Sequence, residues 1–170
     1  MAKRLILYDF GPEDRGAEGQ IQEDFYFPVQ PMVERCLGCF GCWVQTPGRC
    51  AIQDRASVLP QQMKRCDQWI IISPVLYGGY SLCVKAALER CLGYMLPYLR
   101  IVQGRMRHQL RYPDHVFQLQ AYFYGPCSPK ERELAQRLVG SNGKNLGAAQ
   151  CRAGFFDGAD QVKEAIGCKF

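Results

Sequence analysis

Trp69-Ile-Ile-Ile-Ser-Pro-Val-Leu-Tyr-Gly-Gly-Tyr-Ser81 is the stretch whose reading decides the fold. Trp69 to Ile72 is an unbroken apolar run, the pattern of a strand covered on both faces. It passes directly into a loop rich in Ser, Pro, Gly and Tyr. Beyond the loop, Leu82, Ala86 and Gly93 alternate with Cys83, Ala87 and Arg90, so a helix is expected over residues 82–96, closed by Pro97.

The same alternation extends in both directions. Leu5-Ile-Leu-Tyr8 reads as a buried N-terminal strand, and residues 25–29 as a second, with Pro28 at its edge or end. Helical spacing returns over 58–66. A strand is expected over 117–124, ending in Tyr124-Gly125-Pro126. Ser128 then caps a helix with Pro129 at its first position and Glu131 in its first turn. A weaker strand over 149–156 and a short helix over 161–166 complete the chain. Strands alternating with helices predict a single α/β domain over residues 1–170, a parallel sheet with helices on both faces. The crossover between the first two strands is irregular. Residues 9–24 are long enough for it, but their glycines and Pro12 argue against a helix.

Composition limits the function classes. A chain of 170 residues with 48% apolar and 22% charged residues is an ordinary globular mixture able to bury a core. The net charge of +5 permits an anionic ligand and falls short of a nucleic-acid footprint. No apolar run reaches the ~18 residues of a membrane span, and the start lacks a signal-peptide pattern. A cytoplasmic protein with no membrane or nucleic-acid partner is expected. The scattered cysteines Cys66, Cys83, Cys91, Cys127, Cys151 and Cys168 then read as small buried hydrophobes in a reducing compartment.

The other four are clustered. Cys36, Cys39, Cys42 and Cys50 have the spacing C-x2-C-x2-C-x7-C, with Thr46-Pro47-Gly48 able to turn the chain back toward the first three. Converging thiolates can hold an iron–sulfur cluster or zinc. They can equally form a redox dithiol set or pack as reduced thiols. Spacing leaves these readings open.

Taken together, Cys36-Leu-Gly-Cys39, Cys42, Gly48-Arg-Cys50, Asp54, Ile70 to Ser81, Lys85 and Leu88-Glu-Arg90 resemble the flavodoxin-like NAD(P)H-dependent FMN reductase family. The likeness is to members with a C-x-x-C-x-x-C segment, including iron–sulfur flavoproteins. It covers residues 36–96 well and the rest only in strand–helix order. It implies a flavodoxin-like three-layer sandwich whose five parallel strands run in the order 2-1-3-4-5. It also implies an oxidoreductase that passes electrons from a nicotinamide nucleotide through FMN, with a redox-protein partner and a homo-oligomeric state. Pro74, Val75, Leu76, Tyr77, Gly78, Gly79 and Tyr80 would form one wall of the flavin pocket, and Tyr124 and Gly125 would line the same crevice. A [4Fe–4S] cluster on Cys36, Cys39, Cys42 and Cys50 is a further option it implies. The residues suit the ring site, since a loop at the carboxyl end of a central strand borders the ligand crevice. Gly78 and Gly79 let backbone N–H groups approach, and the tyrosines offer aromatic faces. The alternative is a tight turn with surface tyrosines.

The segment after the first strand departs from the family. Flavodoxin-like proteins hold the FMN phosphate there with a Ser/Thr-rich loop leading into a helix. Here the residues are Asp9-Phe-Gly-Pro-Glu-Asp-Arg-Gly-Ala-Glu-Gly19, without Ser or Thr, and with Asp9, Glu13, Asp14 and Glu18 repelling a dianion. Only Arg15 favours one. Arg100, Arg105, Arg107, His108 and Arg111 read as a solvated basic face, or else as replacement charge or a patch for NADPH or an acidic partner. His108 and His115 sit in no acid–base constellation. Two further functions stand beside the reductase. One is a flavodoxin-like interaction module that has lost FMN and keeps a structural or metal-binding cysteine loop. The other is a thiol–disulfide or metal-handling protein using Cys36 and Cys39.

Overall fold

The computed structural model describes residues 3–14 and 16–167; Arg15 and Cys168 lie outside them. Five strands form the parallel body of the sheet: β1 (Arg4–Tyr8), β3 (Asp24–Pro28), β4 (Gln68–Pro74), β7 (Gln118–Tyr124) and β8 (Gln150–Phe156). Their spatial order is β3-β1-β4-β7-β8, which is 2-1-3-4-5 when these five are numbered by themselves. The expected α/β sandwich is the observed one. The irregular crossover is a short strand, β2 (Gly19–Ile21), that folds back antiparallel on β3 and adds a sixth strand at the edge.

Burial follows the pleat. Leu5, Leu7, Trp69, Ile71, Leu119, Ala121 and Phe123 face one layer, where α2 (Leu59–Arg65), α3 (Leu82–Glu89) and α4 (Pro129–Leu146) supply Leu59, Met63, Val84, Ala87, Ala135 and Val139. Ile6, Tyr8, Ile70 and Ile72 face the other, covered by Val162 of α5 (Ala159–Ile166) and by Phe10 and Ala17 of the first crossover. The crossover therefore does the covering work of a helix without forming one.

Local signals fix the helix starts. Ser81 caps α3 by accepting the Val84 N–H at 3.2 Å. Ser128 and Glu131 form a reciprocal capping box at α4, and Gly147 ends that helix in the left-handed region at φ 82°.

The helix expected over 82–96 is shorter. α3 ends at Glu89, a 3-10 turn follows over Arg90–Tyr94, and Pro97 lies inside a strand, β5 (Met95–Val102). The turn draws Gly93 against the cysteine loop, where a Cβ would sit 3.2 Å from the Cys42 Cβ and 3.3 Å from the Gly48 carbonyl carbon. The basic segment is also structured. β5 pairs antiparallel with β6 (Arg105–Leu110) through a two-residue turn at Gln103 and Gly104, whose φ values of 51° and 73° suit a type I′ hairpin.

Candidate flavin crevice and cysteine loop

The crevice lies at the carboxyl ends of β1, β4 and β7, the ligand side of such a sheet. Pro74 ends β4. The Val75 N–H then donates to the Tyr124 carbonyl at 2.9 Å, tying the loop to the end of β7. Leu76 and Gly79 exchange reciprocal backbone hydrogen bonds of 3.0 and 2.9 Å around a tight turn. Its central residues, Tyr77 and Gly78, have φ of 51° and 73°.

Glycine is required at 78 on two counts. The backbone is left-handed, and a Cβ would lie 3.0 Å from both the Glu131 carbonyl oxygen and the Leu134 Cβ of α4. Tyr77 has no such excuse, since a bulky residue in this region is strained. Its side chain is 84% exposed beside the exposed Leu76. Among the described residues, the Tyr77 and Gly78 N–H groups have no protein acceptor.

The remaining residues of this set divide between lining and support. Tyr80 turns inward, its ring stacked on Phe123 at 5.3 Å and its hydroxyl accepting from Asn142 at 3.4 Å. Burial pushes its phenol up to about 12, with the Asn142 hydrogen bond opposing. The Tyr124 hydroxyl donates to the Asp9 carbonyl at 2.7 Å. Burial, then the Asp9 and Asp14 carboxylates, hold that phenol well above the usual tyrosine range. Gly125, at φ 98°, leaves open space where a Cβ would be.

The first loop is closed by a carboxylate. Asp9 is buried and accepts from the Ser81 hydroxyl at 2.5 Å, the Gly11 N–H at 3.1 Å and the Gln30 amide at 3.3 Å. Ser81 is also the cap of α3, so Asp9 supplies negative charge beside that helix's positive end. Asp14 accepts from Lys163 at 3.0 Å, and Glu18 pairs with Arg55 at 3.4 Å. A phosphate placed here would meet Asp9 in its own seat. The ring end of the crevice offers an exposed aromatic face and two free N–H groups, whereas the loop after β1 presents carboxylates and does not suit a phosphate.

The cysteine loop packs against the 3-10 turn over Arg90–Tyr94. Its single helical turn, α1 (Gly41–Val44), starts from Phe40 in a left-handed conformation. Phe40 stacks on Trp43 at 5.2 Å, and the Trp43 indole N–H donates to the Met95 carbonyl at 2.9 Å. Cys42 and Cys50 are buried, Cys36 is half-buried and Cys39 is exposed. Burial raises the Cys42 thiol, and neighbouring Cys50, Cys36 and Cys39 add to the rise.

Arg90 anchors the loop. It is 1% exposed, yet all five of its donor N–H groups are used. Nε donates to the Cys50 sulfur at 2.9 Å, and the two terminal nitrogens reach Asp54 at 2.7 and 2.9 Å, the Glu34 carbonyl at 2.8 Å and the Ile52 carbonyl at 3.1 Å. Burial opposes ionisation of Asp54. The Arg90 hydrogen bond and charge outweigh it, with help from the Glu34 and Ala56 N–H groups, and hold its carboxyl below the usual range. Among the described residues, no three His, Cys, Asp or Glu side chains converge as a metal-binding group. As arranged, the four cysteines do not assemble a ligand set.

Asp9 as an internal anion and Arg90 as the loop's anchor are not evident from spacing. The only signal for the second is an arginine on the row that also carries Cys83 and Ala87.

No protein-family model matches the chain. Over 74 residues it is 32% identical to an iron–sulfur flavoprotein of Methanocaldococcus jannaschii, a match covering 44% of this chain and 37% of that relative's length. Among solved structures, it resembles an FMN-dependent NADH-azoreductase from Bacillus anthracis determined in complex with FMN. The TM-score is 0.52 at 12% identity, covering 91% of this chain and 86% of that one. It also resembles the azoreductase AzrA, with a TM-score of 0.51 at 10% identity over 95% and 90% of the two chains. These likenesses show a flavodoxin-like fold and agree with the resemblance drawn from residues 36–96. Among the described residues, no helix is long and apolar enough to cross a membrane.

Proposed function

We propose that this flavodoxin-fold chain is a flavin-dependent oxidoreductase that takes electrons from NAD(P)H, its isoalloxazine site formed by residues 74–80 with Tyr124 and Gly125. The observation that carries the reading is the turn at Tyr77 and Gly78. An exposed aromatic residue is held there in a strained backbone conformation at the crevice, beside N–H groups free of protein acceptors. The same backbone angles close the β5–β6 hairpin, so it is the turn's place at the carboxyl end of β4, with its exposed ring and free N–H groups, that points to a ligand. FMN is the flavin named with one structural neighbour. In this chain it would be held at the ring and ribityl chain, because Asp9 closes the phosphate seat.

A bound flavin supplies hydride acceptance and onward electron transfer. The protein's part is to bind and orient. Tyr77 offers a face to the ring, the Tyr77 and Gly78 N–H groups offer donors to its polar edge, and the Tyr124–Asp9 bond fixes the opposite wall. The exposed apolar side chains of Tyr98, Ile101 and Met106 support a homo-oligomer.

The cysteine loop has two readings. The geometry supports a structural one, with Cys42 and Cys50 packed beneath the loop and Cys50 held by Arg90. The four-cysteine spacing and the similarity to an iron–sulfur flavoprotein over part of the chain support a [4Fe–4S] cluster, which would require the loop to rearrange. Anaerobic purification followed by NAD(P)H oxidation assays with added flavin, and iron determination on the same sample, tests both. Turnover whose half-saturating flavin concentration rises in Tyr77→Ala supports the oxidoreductase, and no turnover with any flavin leaves the interaction module. About four irons per chain assigns the cluster, the cubane stoichiometry, and none leaves the structural loop.

A further inference from the structure

Away from the crevice, beneath α3 and α4, lies a cavity of 210 Å³ lined by Met63, Trp69, Leu92, Met95, Leu119 and Leu146 among others. Trp69 and Leu119 stand at the amino-terminal ends of β4 and β7, so this space sits toward the opposite edge of the sheet from Tyr77 and Gly125. It exists where α3 gives way to the 3-10 turn while α4 continues. Its walls are apolar, and its polar groups are Glu89, Asn142 and Asn145. An apolar cavity of about 150 Å³ is enough to bind benzene.

Asn145 also borders a second space, a groove lined by Arg105, Arg107, Ser141 and Lys144. The Arg107 guanidinium donates to the Asn145 side-chain oxygen at 3.0 Å. Arg107 stands directly across the hairpin from Arg100, a like-charge pair that an isolated sheet disfavours. Among the described residues, no carboxylate pairs with Arg105, Arg107 or Lys144. The one carboxylate near the cavity, Glu89, is on the α3 side and faces Lys85 at 4.0 Å.

We propose that the cavity and groove together form a binding site for a small amphipathic carboxylate, its apolar body among Trp69, Leu119 and Leu146 and its anionic head against Arg105, Arg107 and Lys144. Neither half specifies this alone. The apolar half selects a single ring or short alkyl chain, the cationic half selects a negative head, and Asn145 lines both. The site shares no lining residue with the crevice and meets it only where Asn142 donates to the Tyr80 hydroxyl, so it does not rest on the flavin reading.

Calorimetric titration of the full chain with octanoate, 1-octanol and inorganic phosphate tests it. Octanoate is expected to bind saturably at least tenfold more tightly than octanol, and phosphate not measurably. Arg105→Ala/Arg107→Ala, two changes on an exposed hairpin, should remove that advantage while leaving octanol binding unchanged. Leu119→Phe, which fills the cavity, should weaken both. Tyr77→Ala should leave octanoate binding intact even if flavin binding is lost. Equal affinity for octanoate and octanol, phosphate binding as tight as octanoate, or no saturable heat at millimolar ligand would each overturn the proposal.

Discussion

At the scale of single residues, three positions carry most of the account: Asp54, Tyr77 and Asp9. Asp54 neutralises a guanidinium that has no access to water. Removing it strands a buried cation, so Asp54→Ala should lower the unfolding free energy by about 3 kcal/mol in urea titrations. The pair also sets an acid dependence. The folded-state pKa of Asp54 lies below its ordinary value. Its stabilisation is therefore complete above about pH 4, the unfolded value, and is lost as pH falls through the folded one. Asp54→Asn should flatten that acid limb, measured as the urea midpoint against pH. At Tyr77, stability and function are expected to part. Tyr77→Gly relieves the left-handed strain and should unfold no more easily than the parent, yet bind flavin about tenfold more weakly, as befits the loss of one aromatic contact worth about 1.4 kcal/mol.

At the scale of elements, the turn, the hairpin and the first crossover show what the sequence carries and where it stops. Gly78→Ala puts a Cβ into α4 from a left-handed backbone. It should cost about 1–3 kcal/mol of stability in chemical denaturation. Ser128→Ala removes one half of the α4 capping box and should cost about 1 kcal/mol by the same measurement. Both sites were legible, because turn glycines and caps act through local chemistry. So were the five parallel strands, those over 5–8 and 69–72 from buried apolar runs and the others from the strand–helix alternation of the chain.

The break in α3 was not legible. Leu82 to Gly93 keeps helical spacing, and only the tertiary demand to lodge Arg90 and Gly93 against the cysteine loop shortens the helix. The β5–β6 hairpin hid behind its arginines, and its Gln103-Gly104 turn is not one of the Asn-Gly or Asp-Gly pairs that mark a two-residue hairpin. The crossover was read correctly as non-helical from its glycines and Pro12. Its role as cover over Ile6 and Tyr8 depends on contacts that no local pattern encodes.

At the scale of the whole molecule, the fold separates two ends. One end of the sheet holds Tyr77, Gly125 and a first loop whose Asp9 carboxylate is buried beside the N-terminus of α3. The other holds the cavity under α4 and the basic hairpin. The buried Asp9 carboxylate turns a familiar expectation around. A terminal phosphate normally adds affinity at this edge of the sheet, and here it should add none. The measurement that tests this most directly is a pair of equilibrium titrations of the protein, with riboflavin and with FMN, followed by flavin fluorescence. The account predicts saturable binding of both at micromolar concentration, with FMN no more than about threefold tighter, a difference of less than ~1 kcal/mol. Failure of either flavin to bind, or FMN binding a hundredfold more tightly than riboflavin, would contradict it.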